Sequence, residues 1–215
     1  MSGEWWRTEA ALSRVLPPRL AGAVLAAPRG ASVIVRWVLR RRPSGKAFPH
    51  HRDMTVLAWF LVAMTVLEGA VLDVVLRAIL GPSPWVWLAL VAHLLGVYLL
   101  IAAYAGMVTR PHTLDGGILR LRTGLGTEVA IALSSVEDAT AGRYPGFDQS
   151  AWRVDDSGDA TLACGDANLR LSLTCGSTVM VNACPWPAPR TVHVTVDEPR
   201  LMARAIAEAQ QLATA

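Results

Sequence analysis

Two uninterrupted apolar blocks dominate the chain, at residues 54–80 and 85–107. The first has 27 residues, about 40 Å of helix at roughly 1.5 Å per residue, and the second has 23. Roughly 20 apolar residues cross a hydrocarbon core of about 30 Å, so the pattern predicts two transmembrane helices, the first tilted or extended past the interface. Gly81-Pro82-Ser83-Pro84 between them reads as a tight turn and makes the pair an antiparallel hairpin. Trp85 and Trp87 at the turn end, with Trp59 and Tyr104 toward the other, have the placement of interfacial aromatic belts.

After residue 107 the period changes. Segments 118–122, 128–133, 152–154, 161–164, 169–174, 178–182 and 191–196 alternate apolar and polar residues, with Gly- and Asp-rich breaks at 115–117 and 155–159. These predict about seven antiparallel strands. A closing helix follows, with Asp197 as its cap, Glu198 and Pro199 in its first turn, and an apolar face of Leu201, Met202, Ala205, Ile206, Ala209 and Leu212. The expected fold is an α+β membrane protein: a transmembrane helical hairpin, then a small β-barrel of about seven antiparallel strands with a C-terminal helix against one open end.

Residues 1–53 predict an arm of short helices. One, at 3–16, stops at Pro17-Pro18; the apolar stretch 20–27 is too short to span; and 30–42 reads as an amphipathic helix, with Val33, Ile34 and Trp37 opposite Arg36 and Arg40. That helix suits the headgroup layer, or a face of the β domain. A third span over 20–39 is excluded by Arg29 and Arg36, since a central arginine costs roughly 2.5–3.5 kcal/mol to insert.

Charge separates the same three regions, 1–53, 54–107 and 108–215. The first holds ten Lys or Arg against three Asp or Glu, the second one against two, and the third nine against twelve. The chain is 53% hydrophobic and 17% charged with a mean hydropathy of +0.36, against about 25% charged for ordinary soluble domains. The high pI of about 9.1 therefore belongs to the arm. The acidic third region argues against a nucleic-acid partner, which would need a basic footprint there. Arg40, Arg41, Arg42, Lys46 and Arg52 precede the first apolar block, Arg110, Arg120 and Arg122 follow the second, and the turn has no basic residue. This bias predicts a two-pass membrane protein with both termini cytoplasmic. Arg36, Arg40, Arg41, Arg42, Lys46 and Arg52 are candidate contacts to anionic headgroups, each worth about 1 kcal/mol. The first residues, with Glu4, Trp5, Trp6 and Glu9, do not read as a signal peptide. Cys164, Cys175 and Cys184, odd in number, fit a reducing compartment better than a disulfide framework.

Two stretches carry a resemblance. Residues 117–124 (GILRLRTG) with 127–137 (TEVAIALSSVE) resemble the opening strands of bacterial PH-like domains, and 190–201 (RTVHVTVDEPRL) is similar to their last strand and capped helix. Two preceding spans and a basic arm resemble two-pass actinobacterial membrane proteins carrying this domain. The resemblance covers most of residues 48–213 and fits least at 143–150 and 184–190. It implies a PH-like fold with a scaffolding or binding role at a bacterial plasma membrane, and brings no functional residues with it.

The ionisable residues inside the apolar blocks are the sharpest functional signal, because such residues seek partners. Asp73 lies about 10 Å and His93 about 12 Å from the turn, so they can meet across the hairpin, while Arg77 stands one helical turn after Asp73. Glu68 is about 18 Å from the turn and roughly 140° from Asp73 around the helix, level with Tyr98 as a bonding candidate or facing a partner. Ala92, Gly96, Ala103 and Gly106 form a seam of small residues for helix packing. Three uses remain open: adhesion within the hairpin, contact with a membrane-protein partner or a second copy, and an ion or proton path. His50-His51 with Asp53 is a weak metal motif, and the cysteine spacings do not match zinc sites. No nucleophile elbow or phosphate loop is legible. The expectation is a non-enzymatic scaffold without cofactor or metal that binds another membrane or membrane-proximal protein. The alternatives are an accessory subunit of a transport or envelope-assembly complex, and a phospholipid-headgroup module.

Overall fold

The computed structural model describes all residues except 1–7, 9–10, 13–14, 16, 41–44, 146–148, 156, 164–165 and 215. Most of the expected first helix, Arg41, Arg42 and Cys164 thus lie outside the described residues. The elements run α1 (Pro18–Val38), β1 (Lys46–Phe48), α2 (Arg52–Leu80), α3 (Pro84–Thr109), β2 (His112–Asp115), β3 (Ile118–Thr123), β4 (Thr127–Ala132), a 3₁₀ turn (Leu133–Ser135), β5 (Val136–Tyr144), β6 (Gln149–Val154), β7 (Asp159–Ala163), β8 (Ala167–Leu173), β9 (Thr178–Val181), β10 (Cys184–Pro187), β11 (Thr191–Val194) and α4 (Pro199–Thr214).

The two apolar blocks form α2 and α3, both long and apolar enough to cross a membrane. Only 6% and 11% of their most apolar windows is buried inside the chain, whereas the core helix of a soluble domain buries most of its apolar face. Their connection is as tight as the sequence predicts. Gly81 closes α2 at φ 64°, a left-handed conformation that favours glycine, and the Ser83 hydroxyl accepts the Trp85 N–H at 3.4 Å to cap α3, with Pro84 in its first turn.

The arm departs from expectation. α1 is one helix through Pro28, not an apolar stretch followed by a separate helix at 30–42, and it ends at Val38. A proline removes one backbone hydrogen bond; here the helix continues because Leu25, Gly30 and Val33 are buried in its packing along α3. A Cβ on Gly30 would stand 2.9 Å from both the Ala102 Cβ and the Tyr98 hydroxyl oxygen. The Trp37 ring meets Tyr104 edge-on at 6.0 Å, and Trp59 of α2 meets the same ring at 5.7 Å.

The β unit also differs from a single closed barrel. Its described residues form eleven strands in two sheets, ordered β1-β2-β3-β4-β9-β10 and β5-β8-β11-β7-β6. Each of the seven expected segments overlaps a strand; β1, β2, β5 and β10 are additional. The sheets are not all antiparallel, because β11 lies between β8 and β7 and pairs with β7 in parallel. Alternation drives the core: β8 buries Leu169, Leu171 and Leu173 and turns Asn168, Arg170 and Ser172 away. The inner faces of both sheets share one cluster that includes Leu119, Leu121, Val129, Ile131, Leu162 and Val192. α4 closes it with Met202, Ala205 and Ile206, whereas Leu201 and Leu212 of its expected apolar face are exposed.

β1 precedes the two apolar helices in sequence yet is the edge strand of the first sheet, and its Phe48 is buried in the β core. Phe48 stands opposite His112 in the β1–β2 ladder. The helical hairpin is therefore an excursion out of the β unit, leaving after β1 and returning at β2, and its antiparallel geometry continues into the ladder beneath it.

Candidate functional site

Within the apolar helices, Asp73 and Arg77 pair along one face, with Arg77 Nε 2.9 and 3.0 Å from the two carboxylate oxygens and its guanidinium 5.9 Å from the Trp87 ring. Asp73 and His93 line one small space between α2 and α3 with Gly69, Leu72 and Leu90, but the hydrogen bond of His93 goes elsewhere: its Nε2–H donates to the Thr65 carbonyl. Gly69 makes this possible, since a Cβ there would overlap the imidazole ring. Tyr98 does not reach Glu68. Its hydroxyl donates to the Ala27 carbonyl, tying α1 to the middle of α3. Glu68 is exposed on the outer face of α2, with no hydrogen bond or ion pair to the described residues.

The expected seam of small residues on α3 does not hold the hairpin together. Ala92 is exposed and a Cβ on Gly96 would meet open space. Gly106 and Ala103 face the β unit: a Cβ on Gly106 would lie 3.0 Å from the Gly124 carbonyl carbon, and one on Gly124 would lie 3.6 Å from the Ala103 carbonyl oxygen. The turn between β3 and β4 therefore docks on the last turns of α3. Ala102 and Ala105 are the fully buried small residues of that helix.

This docking creates the most highly charged cluster of the described residues. β3 and β4 pair with Arg122 opposite Glu128, and Arg120 stands two residues away on the same face. Arg110, the C-cap of α3, reaches across to them. Glu128 is 8% exposed and accepts from all three: Arg110 at 3.2 Å and Arg122 Nε at 3.1 Å on one oxygen, Arg120 at 3.3 Å on the other. Arg110 also donates to the Gly124 carbonyl at 3.2 Å. Burial pushes the Glu128 carboxyl up, but the charges of Arg122, Arg110 and Arg120 and the Arg122 hydrogen bond outweigh it and hold it below the usual carboxylate range. Burial draws the Arg110 guanidinium below its ordinary value against the pull of Glu128, and repulsion from Arg122 and from Arg36 on α1 adds to it.

Beside the cluster, His112 is fully buried. Its Nε2–H donates to the Thr195 carbonyl at 3.1 Å and its Nδ1 accepts the Arg122 N–H at 3.0 Å, which fixes a neutral ring. His50 stacks on it with ring centroids 4.4 Å apart. Both His50 nitrogens are buried without a hydrogen-bond partner among the described residues. Burial lowers the His50 pKa to about 4, with Asp197 pulling the other way, and burial also drives His112 well below its ordinary value. The His50-His51 motif is thus part of the junction's interior. Among the described residues no group of three or more His, Cys, Asp and Glu is placed to hold a metal ion.

Of the expected headgroup residues, Arg36 is half-buried on α1, Arg40 and Arg52 are exposed, and Lys46 lies 3.7 Å from Glu208. The pattern Arg120-x-Arg122 followed across a glycine turn by Glu128 is the sequence signal for the cluster, because alternation puts all three on one sheet face. Arg110 joins only through docking. Comparison with protein-family models, with curated proteins and with solved structures gives no match.

Proposed function

We propose that the chain is a non-enzymatic, membrane-anchored interaction module. In this reading α2 and α3 cross a bacterial plasma membrane, and the β unit lies against its cytoplasmic face. The exposure of both apolar helices supports the crossing, and the arginines at the β-unit end support the orientation. α1 accompanies α3 from its midpoint toward the β unit rather than lying in the headgroup layer.

Glu68 carries the partner-binding part of the reading. An acidic side chain at the centre of a span costs about 2.5–3.5 kcal/mol by insertion, so it is retained where it meets a partner. Glu68 has none among the described residues, and Met64, Val71 and Val75 extend an exposed apolar surface around it. The occupant is a helix of another membrane protein or of a second copy. The test is crosslinking in native membranes followed by purification of the full chain in mild detergent. A crosslinked partner should be captured with the wild type and lost with Glu68→Ala. A Glu68→Ala variant that keeps every partner removes the basis of the reading. Disulfide formation between Val71→Cys chains identifies a second copy.

A further inference from the structure

We propose that Arg36, Arg110, Arg120 and Arg122 form a site for a phosphate group, presented by the headgroup of an anionic membrane lipid at the junction of α1, α3 and the β3–β4 hairpin. The inference rests on the membrane reading given above. Its observations are separate from Glu68.

Charge is the first observation. Three guanidinium groups share one buried carboxylate, and Arg36 adds a fourth positive charge from α1. Glu128 neutralises one of them. Arg110 and Arg122 are largely covered, with 15% and 13% of their side chains exposed, so water screens the excess poorly. A bound anion offsets it, and guanidinium groups match phosphate oxygens in geometry.

Level is the second. Trp37, Trp59 and Tyr104 converge from three helices, the arrangement of an aromatic belt. Arg110 follows Tyr104 by six residues, about 9 Å further along the helix toward the β unit. That distance puts it on the β-unit side of the belt, next to the headgroup layer.

Access is the third. Arg120 uses one N–H on Glu128 and leaves 38% of its side chain exposed, so it has donors free for a ligand. Arg122, by contrast, is held by Glu128, the Pro111 carbonyl and Thr113. The covered arginines supply field and shape, Arg120 supplies the outward contact, and Arg36 adds positive charge from α1.

The experiment uses the full chain in lipid nanodiscs of phosphatidylcholine alone or mixed with phosphatidylglycerol, reading retained lipid by native mass spectrometry and the melting temperature in parallel. Phosphatidylglycerol should bind preferentially and raise the melting temperature. Arg36→Gln and Arg120→Gln should each weaken it by about fivefold, whereas Arg143→Gln, at an exposed pair with Asp166, should not. Arg36 makes no hydrogen bond to Glu128, so Arg36→Gln keeps the test valid if Arg120→Gln fails to fold. A second arm adds inorganic phosphate to the detergent-solubilised chain. Stabilisation by phosphate that the same variants abolish supports the site with a soluble ligand, and stabilisation by phosphatidylglycerol alone supports a lipid. Equal phosphatidylglycerol binding by the wild type and Arg36→Gln overturns the proposal. Retention of every partner by Glu68→Ala would leave it unaffected.

Discussion

Asp197 Oδ1 accepts the backbone N–H of Arg52 at 3.1 Å, from 145 residues away in the sequence. Arg52 opens α2, so the carboxylate serves one of the helix N-terminal donors that have no partner within the helix. The Asp197 N–H in turn donates to the Pro49 carbonyl at 2.9 Å. A residue expected to cap the C-terminal helix thus caps the first apolar helix; the α4 bond of Met202 closes on the Glu198 carbonyl. Asp197→Ala should lower unfolding stability by about 1 kcal/mol, as loss of an N-cap does, and Asp197→Asn should restore most of it. Denaturant unfolding of the full chain in detergent measures both.

Glu128 should matter more than any one of its arginines. Glu128→Gln leaves Arg110, Arg120 and Arg122 without their shared countercharge, and breaking a buried pair by removing one partner costs about 3–5 kcal/mol. Arg120→Gln, which loses the most exposed of the three contacts, should cost under about 1 kcal/mol. Melting temperatures that fall equally for both would contradict the cluster's asymmetry.

Gly69 and His93 form a complementary pair across the hairpin. Gly69→Ala should drive the imidazole off the Thr65 carbonyl and cost about 1–3 kcal/mol through overpacking. The double variant Gly69→Ala with His93→Ala should recover most of the loss, because the overlap disappears. Thermal unfolding of the single and double variants gives the coupling directly.

The buried histidines make stability depend on pH. Unfolded His50 takes up a proton near its ordinary value of 6.5, but in the folded chain it does so only near 4. Between those values the unfolded chain binds more protons, so stability rises with pH across this window and is lost as pH falls through it, by about 3 kcal/mol for this residue. His112 shifts in the same direction and steepens the loss. His50→Phe keeps a ring for stacking and removes the unpartnered nitrogens, so it should flatten the dependence. Unfolding midpoints measured from pH 7 to 4 check the slope.

Seven of the strands were legible because apolar and polar residues alternate within them. The other four lack that signal for identifiable reasons. β1 is three residues long and β2 four. β5 shifts register between Val136 and Asp138 and again between Ala141 and Tyr144, which breaks the period. β10 carries Pro185 and Pro187 and is an edge strand, the position that tolerates proline. At the candidate sites the Asp73–Arg77 pair was legible from its four-residue spacing. The partners of His93 and Tyr98 were not, because depth along a helix does not specify which face meets which neighbour.

Local patterns along the chain set the two long apolar helices, their tight turn, the alternation that drives the β core and the placement of positive charge around the apolar blocks. Each is a local property, set by run length, period or turn chemistry. Tertiary structure alone decided that β1 joins β2 beneath the hairpin, that β11 enters between β7 and β8, that α1 lies along α3, and that Arg110, Arg120 and Arg122 converge on Glu128. These contacts join residues far apart in the chain, and they depend on which faces are buried together. No local pattern encodes that choice, and the partners of Asp197 and His50 follow from it.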